Sequence, residues 1–93
     1  MGRETVLFKT EEKMSRAAAA DLLRRIADRI DSGKVVLQQG KRETRLKIPE
    51  RVEVEIKAEK EQGRKKTKKK LEIEIEWLVG GKGKKGAGSF SLG

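Results

Sequence analysis

The segment Lys70-Leu71-Glu72-Ile73-Glu74-Ile75-Glu76-Trp77 alternates apolar and charged residues without a break. A period of two places all its apolar side chains on one side of an extended chain, which is the pattern of a half-buried β-strand. Its last position holds the only tryptophan among the 93 residues. The segment therefore predicts a sheet with one apolar face, and the other elements can be placed by pairing them with it.

The amino-acid composition excludes several kinds of site. A chain of 93 residues suits one domain, and it contains no Cys, His or Tyr. Disulfides, thiolate metal sites and the commonest general base are therefore excluded. No apolar run approaches the roughly 20 residues of a membrane span. The first residues contain no apolar stretch before a small-residue cleavage site, so a signal peptide is not expected. We expect a cytoplasmic protein that is not an enzyme and that has no metal, cofactor or membrane partner.

One amphipathic helix is predicted between Ser15 and Gly33. The Ser15 hydroxyl can accept a hydrogen bond from an amide of the first turn, and Gly33 suits the left-handed residue that ends a helix. Between them apolar residues recur every three or four positions and form one stripe. The stripe consists of Ala19, Leu22, Leu23, Ile26, Ala27 and Ile30.

Four strands after the helix can be placed in register, because a shift of one residue would turn charged side chains into the core. A two-residue turn at Gly40-Lys41 opposes Val35 to Leu46. Pro49 cannot donate a hydrogen bond to a ladder, so it marks the next turn. We expect the chain to turn there and to continue as the third strand of the same sheet.

The last hairpin turns in the region of Gly63. Matching the apolar faces opposes Val54 to Ile75 and Ile56 to Ile73. The same register places acidic and basic residues side by side across the outer face, and opposite charges on neighbouring strands stabilise a sheet. The apolar and the charged patterns therefore predict the same register.

These elements predict an α+β domain over residues 1–79, in the order β-α-β-β-β-β. A short N-terminal strand at Thr5–Thr10 joins an antiparallel β-meander, and the one helix packs on the apolar face of the sheet. The helix stripe and the inner face of the strands are expected to form one core. The expected core residues are Leu23, Ile26, Ile30, Leu46, Val54, Ile73, Ile75 and Trp77.

Three segments together resemble the amphi-Trp domain family, small proteins named for an amphipathic segment that ends in Trp. They are Leu23–Ile30 before Gly33, Ile48-Pro49 followed by Val52–Glu55, and Glu72–Trp77. The resemblance covers roughly residues 6 to 77 and implies the arrangement described above. It implies no established activity and no catalytic residue. The long basic segment and the glycine- and lysine-rich end look like features of this member.

The positive charge is concentrated in one hairpin loop and in the C-terminal tail. The loop, residues 63–70, carries six basic residues and no acidic residue, and the tail, residues 80–93, carries three lysines. These nine equal the net charge of +9, so the rest of the chain is neutral. The tail has too little apolar surface to fold and is expected to be disordered. The nine residues are Arg64, Lys65, Lys66, Lys68, Lys69, Lys70, Lys82, Lys84 and Lys85.

This basic loop and tail favour non-specific binding of DNA or RNA, because dense exposed cations neutralise phosphates and release counterions. Little sequence preference is expected, since the sequence has no known reading motif and few aromatic residues for stacking. The alternative is a protein–protein or homodimer interface on apolar surface near Trp77, because one helix cannot cover a whole sheet. The remaining polar cluster is better explained as a solvated surface than as a cation site. It consists of Glu53, Glu55, Glu74 and Glu76.

Overall fold

One helix and four strands follow one another in the computed structural model, which describes residues 3 to 80. They are α1 at Arg16–Ser32, β1 at Lys34–Gln39, β2 at Arg42–Lys47, β3 at Glu53–Gln62 and β4 at Thr67–Glu76. The strands form two antiparallel sheets of two strands each, β1 with β2 and β3 with β4. The α+β class, with one helix and antiparallel strands, is therefore confirmed.

Helix α1 begins and ends at the residues that its predicted caps indicate. The Ser15 Oγ accepts a hydrogen bond from the Ala18 amide at 3.1 Å, which satisfies one amide of the first turn. At the other end Gly33 adopts φ +86°, and its amide donates to the carbonyls of Arg29 and Ile30. A side chain would be strained in this left-handed conformation, so glycine ends the helix.

The β1–β2 hairpin has the register predicted from its apolar residues. Val35 lies opposite Leu46, and the two-residue turn falls at Gly40-Lys41. Gly40 has φ +60°, which allows a tight turn whose twist matches that of the strands. Helix α1 contacts β1, and Val35 is the one buried apolar side chain in residues 3 to 80. The small core of the first hairpin therefore centres on this valine.

Residues 3 to 14 form neither helix nor strand, so the strand predicted at Thr5–Thr10 is not present. The Thr44 hydroxyl donates a hydrogen bond to the Leu7 carbonyl at 3.3 Å, which joins the segment to β2 through a side chain. The Leu7 side chain remains exposed, and Phe8 is half-buried. Without a backbone ladder and with little apolar burial, the segment lacks the interactions that stabilise a strand.

The single meander expected from β1 to β4 is replaced by two ladders of two strands. The segment between β2 and β3 contains Pro49, which has no amide hydrogen to donate. Ile48 donates its own amide to the carbonyl of Gly33 at 2.9 Å, so this amide is also not used in a β2–β3 ladder. The chain divides after Ile48 into two compact units, of which the first holds α1, β1 and β2 and the second holds β3 and β4. That residues 1–79 form a single domain stays a prediction.

The eight apolar residues of the expected core belong to both units, and that they pack into one core stays a prediction. Ile26, Ile30, Leu46, Ile75 and Trp77 are half-buried, whereas Leu23, Val54 and Ile73 are exposed. A two-stranded sheet is too narrow to shield its own apolar side chains, and three or more strands are usually needed. The second unit therefore presents apolar side chains to solvent.

Candidate nucleic-acid interface

The second unit is built on the β3–β4 hairpin, whose register agrees with the prediction from apolar parity. Val54 lies opposite Ile75, and Ile56 lies opposite Ile73. Each strand is ten residues long, so the hairpin extends about 33 Å at ~3.3 Å per residue. The ladder therefore extends well beyond its apolar pairs, towards the basic residues at its closed end.

The hairpin closes in a tight, strongly basic turn. The Gly63 amide donates to the Lys66 carbonyl at 2.8 Å, which leaves Arg64 and Lys65 at the tip. A Cβ added to Gly63 would lie 3.1 Å from the Lys66 carbonyl oxygen, so this position favours a residue without a side chain. Two cations are therefore adjacent at the end of a regular ladder.

One face of the hairpin, the apolar face, consists of Val54, Ile56, Ala58, Leu71, Ile73 and Ile75. Leu71 is 69% exposed and Ile73 is 49% exposed. Towards the tip the same face continues with Lys60 opposite Lys69. This face therefore changes from apolar to basic along its length.

The opposite face, the charged face, changes from acidic at the base to mixed towards the tip. The opposing pairs, in order, are Glu53–Glu76, Glu55–Glu74, Lys57–Glu72, Glu59–Lys70 and Glu61–Lys68. The first two pairs oppose like charges, which is unfavourable, and the next three oppose unlike charges. The hairpin therefore has an acidic base and a basic tip.

Ion pairs occupy the middle of the charged face. Lys57 Nζ lies 2.7 Å from Glu59 Oε1, and Lys70 Nζ lies 3.0 Å from Glu72 Oε1 and 3.6 Å from Glu59 Oε2. The hydrogen bond and charge of Lys57 lower the pKa of Glu59, and Glu59 raises the pKa of Lys57 in return. A hydrogen bond to Glu72 raises the pKa of Lys70. These side chains remain at least 40% accessible, so the pairs contribute little to stability.

The predicted basic loop is shorter than residues 63–70, because Lys68, Lys69 and Lys70 belong to strand β4. Lys70 pairs with Glu59 and Glu72, which lie outside the predicted loop. The partners come from the ladder and not from the turn itself. Lys70 is therefore less available to an external anion than the other five.

The cations that remain form a cluster that we call the basic end. It consists of Lys60, Arg64, Lys65, Lys66, Lys68 and Lys69. All six side chains are exposed, and within residues 3 to 80 none of them forms an ion pair. Lys60 was not among the residues predicted from the sequence, although continuing the register beyond Ile56 and Ile73 places it opposite Lys69. The three tail lysines of the predicted site, Lys82, Lys84 and Lys85, lie outside the described residues.

Four glutamates lie together at the base of the charged face, as the register predicted. They are Glu53, Glu55, Glu74 and Glu76. In the part of the chain that the structure describes, no three acidic side chains are grouped so that they could hold a metal ion. Side chains on a sheet face stand roughly parallel, which keeps carboxylates from converging on one point.

Comparison with known proteins identifies a family. No helix in residues 3 to 80 is long and apolar enough to cross a membrane. No curated protein and no solved structure matches the chain. The family described as Amphi-Trp domain matches residues 1–93, a range that includes the alternating strand β4 and Trp77. The chain therefore belongs to the Amphi-Trp domain family.

Proposed function

We propose that the protein binds DNA or RNA through phosphates, with the basic end of the β3–β4 hairpin as the main contact surface. The observation that carries the proposal is the concentration of six exposed cations, none of them in an ion pair within residues 3 to 80, at one end of a regular ladder. Crowded like charges repel one another, and a polyanion relieves this repulsion when it binds. Release of counterions condensed on the nucleic acid adds a favourable entropy.

The shape of the hairpin supports the same role. A two-stranded β-ribbon fits the major groove of B-DNA, which is about 12 Å wide. The Lys60–Lys69 pair lies behind the tip by about four residues of β3, or roughly 13 Å at ~3.3 Å per residue. Cations spaced along the ribbon in this way can contact successive phosphates that line the groove.

The composition of the basic end argues for little sequence preference. Its side chains are five lysines and one arginine, and it has no aromatic residue on which bases could stack. Trp77 follows the other end of β4, about a hairpin length from the tip. Phosphate contacts fix position on a nucleic acid without reading its sequence. The tail lysines Lys82, Lys84 and Lys85 are proposed to add contacts of the same kind.

Fluorescence anisotropy with the full chain tests the proposal. Labelled duplexes of two unrelated sequences and a single-stranded RNA are titrated at moderate salt. We expect dissociation constants in the micromolar range or weaker, on the order of 10⁻⁴–10⁻⁶ M, and nearly equal for the two duplexes. No binding at low ionic strength would refute the proposal, and a tenfold preference for one duplex would refute contact through phosphates alone.

A protein–protein or homodimer interface on the apolar face near Trp77 is the second candidate. It is favoured by the exposure of Leu71 and Ile73 on that face. Salt distinguishes the two, because contacts between apolar surfaces persist at high ionic strength whereas contacts with phosphates weaken steeply. Both candidates are binding roles without catalysis, and a cytoplasmic location remains part of the proposal.

A further inference from the structure

Strand β4 has one neighbour, β3, so its other edge carries unpaired backbone groups in the part of the chain that the structure describes. Gly63 and Lys66 form a hydrogen-bonded pair, and such pairs alternate along an antiparallel ladder. The even-numbered residues of β4 therefore bond to β3, and the odd-numbered ones direct their amides and carbonyls to the outer edge. These are Thr67, Lys69, Leu71, Ile73 and Ile75.

The charges along β4 are complementary to those of the same strand running in the opposite direction. Its first half carries lysines on the charged face and its second half carries glutamates. Two copies paired antiparallel about a two-fold axis at Leu71 would oppose unlike charges along the charged face, while on the apolar face Lys69 would lie opposite Ile73. The opposing pairs within β4 would be Lys70–Glu72 and Lys68–Glu74, each formed twice, and Lys66, which directly precedes β4, would lie opposite Glu76.

The position of the axis follows from charge and from burial. An axis at Glu72 would oppose two copies of Glu72, and an axis at Lys70 would oppose two copies of Lys70, both unfavourable. An axis at Leu71 brings together two leucine side chains that are 69% exposed in the single chain. The outward amide and carbonyl of Leu71 would then bond to those of the second copy. This axis therefore satisfies charge, burial and backbone hydrogen bonding together.

Strand β3 does not have charges that are complementary on antiparallel self-pairing. Its charged face holds four glutamates and one lysine, so antiparallel self-pairing about an axis near the middle of the strand opposes Glu to Glu. An axis at Ala58, for example, would oppose Glu55 to Glu61. The charge pattern thus selects one of the two outer edges of the hairpin.

We propose that two copies of this chain associate through the outer edges of β4, antiparallel about an axis at Leu71, to form a four-stranded sheet. Backbone hydrogen bonds supply the affinity in this mode of recognition, and the charge pairs set the register. The interface is isologous, as in most homodimers. Pairing also joins two apolar faces into one wider face, which gives the hairpin the additional strands that a stable sheet needs. The proposal does not depend on nucleic-acid binding and would compete with it at Lys66 and Lys68, because in the dimer these two lysines lie opposite glutamates of the second copy.

Two proline variants of the full chain test the edge. Leu71→Pro removes an amide that points to the outer edge of β4 and spares the β3–β4 ladder, in which Leu71 and Ala58 form a pair without hydrogen bonds. Ala58→Pro is the matched control, because it places a proline at the position opposite Leu71 and removes an amide from the outer edge of β3. Far-UV circular dichroism checks that both variants keep their secondary structure.

Sedimentation velocity over a concentration series measures whether each variant dimerises. With rising concentration, the wild type and Ala58→Pro should approach twice the 10.5 kDa mass of the chain, and Leu71→Pro should remain at the single mass. A wild type that stays monomeric up to about 1 mM would overturn the proposal, because such association would be weaker than about −4 kcal/mol. Equal loss of the dimer in both variants would also overturn it.

A cysteine variant tests the register without depending on a proline. The sequence contains no Cys, so any disulfide between two copies must join the introduced thiols. At the axis the two Cα atoms of a hydrogen-bonded pair lie ~5.5 Å apart, within reach of a disulfide. Leu71→Cys should therefore form a covalent dimer under mild oxidation. Ile73→Cys should not, because its two copies would lie roughly 14 Å apart. Equal cross-linking of both variants, or of neither, would overturn the register.

Discussion

Replacing Lys65, Lys66, Lys68 and Lys69 by Gln should flatten the salt dependence of nucleic-acid binding. All four side chains are exposed and form no ion pair in residues 3 to 80, so each is available to a phosphate. Each neutralised phosphate contributes ~0.9 to the slope of log K against log salt for duplex DNA and ~0.7 for single strands. The slope should therefore become less steep by about 3.6 for a duplex and by about 2.8 for a single strand.

The expected change in affinity is large enough to measure. The six cations of the basic end give the hairpin a slope of about −5.4, so affinity falls roughly 1,800-fold between 50 and 200 mM salt. The variant retains Lys60 and Arg64, and its hairpin contribution should fall only about 12-fold over the same range. Contacts from the tail would add equally to both proteins, so the difference between the two slopes isolates the hairpin.

The assay is fluorescence anisotropy of a labelled duplex at five salt concentrations. A matched control removes the same net charge from exposed lysines outside the hairpin. It carries Lys9, Lys13, Lys34 and Lys41 replaced by Gln, and its slope should equal that of the wild type. An unchanged slope in the hairpin variant would refute phosphate contact by the basic end. Equal flattening in both variants would show that net charge, and not the hairpin, governs binding.

Two further predictions concern stability and pH. Gly33→Ala should lower the free energy of unfolding by about 1–2 kcal/mol in denaturant titrations, because φ is +86° while the added Cβ meets only ordinary contact at 3.7 Å from the Ile48 carbonyl oxygen. An unchanged free energy would contradict the left-handed cap. In NMR titrations, the Glu59 carboxyl should titrate below the ordinary value of 4.5, and Lys57→Gln should move its pKa upward. The Glu59 contribution to stability is thus present above pH 4.5 and is lost as pH falls through the lowered pKa, whereas the Lys57 contribution is lost as pH rises through a pKa above 10.5.

The register of both hairpins could be predicted because alternation leaves few alternatives. Once Ile75 must face the same side as Val54, a shift by one residue would reverse every charge and every apolar side chain. The turn at Gly40-Lys41 and the cap at Gly33 were predictable because each needs a backbone conformation that glycine adopts easily.

The extent of β4 could not be predicted from apolar residues, because Lys68 and Lys69 carry no apolar alternation. A continued ladder nevertheless opposes Glu61 to Lys68, and this charge pattern was the available signal. The missing β2–β3 ladder has a different cause. Face parity cannot show that the Ile48 amide is already bonded to the end of helix α1, since that contact depends on the tertiary structure.

Within residues 3 to 80, each ladder joins two strands that are adjacent in the sequence, and the helix contacts the strand that follows it. Little loop-closure entropy therefore opposes the first contacts of either unit, and such local topologies fold quickly. The two hairpins differ in the charge of their turns. The first turn holds one cation, Lys41, whereas the second brings Arg64, Lys65 and Lys66 together. We expect repulsion at the second turn to slow its formation at low ionic strength, so that added salt accelerates the second hairpin more than the first.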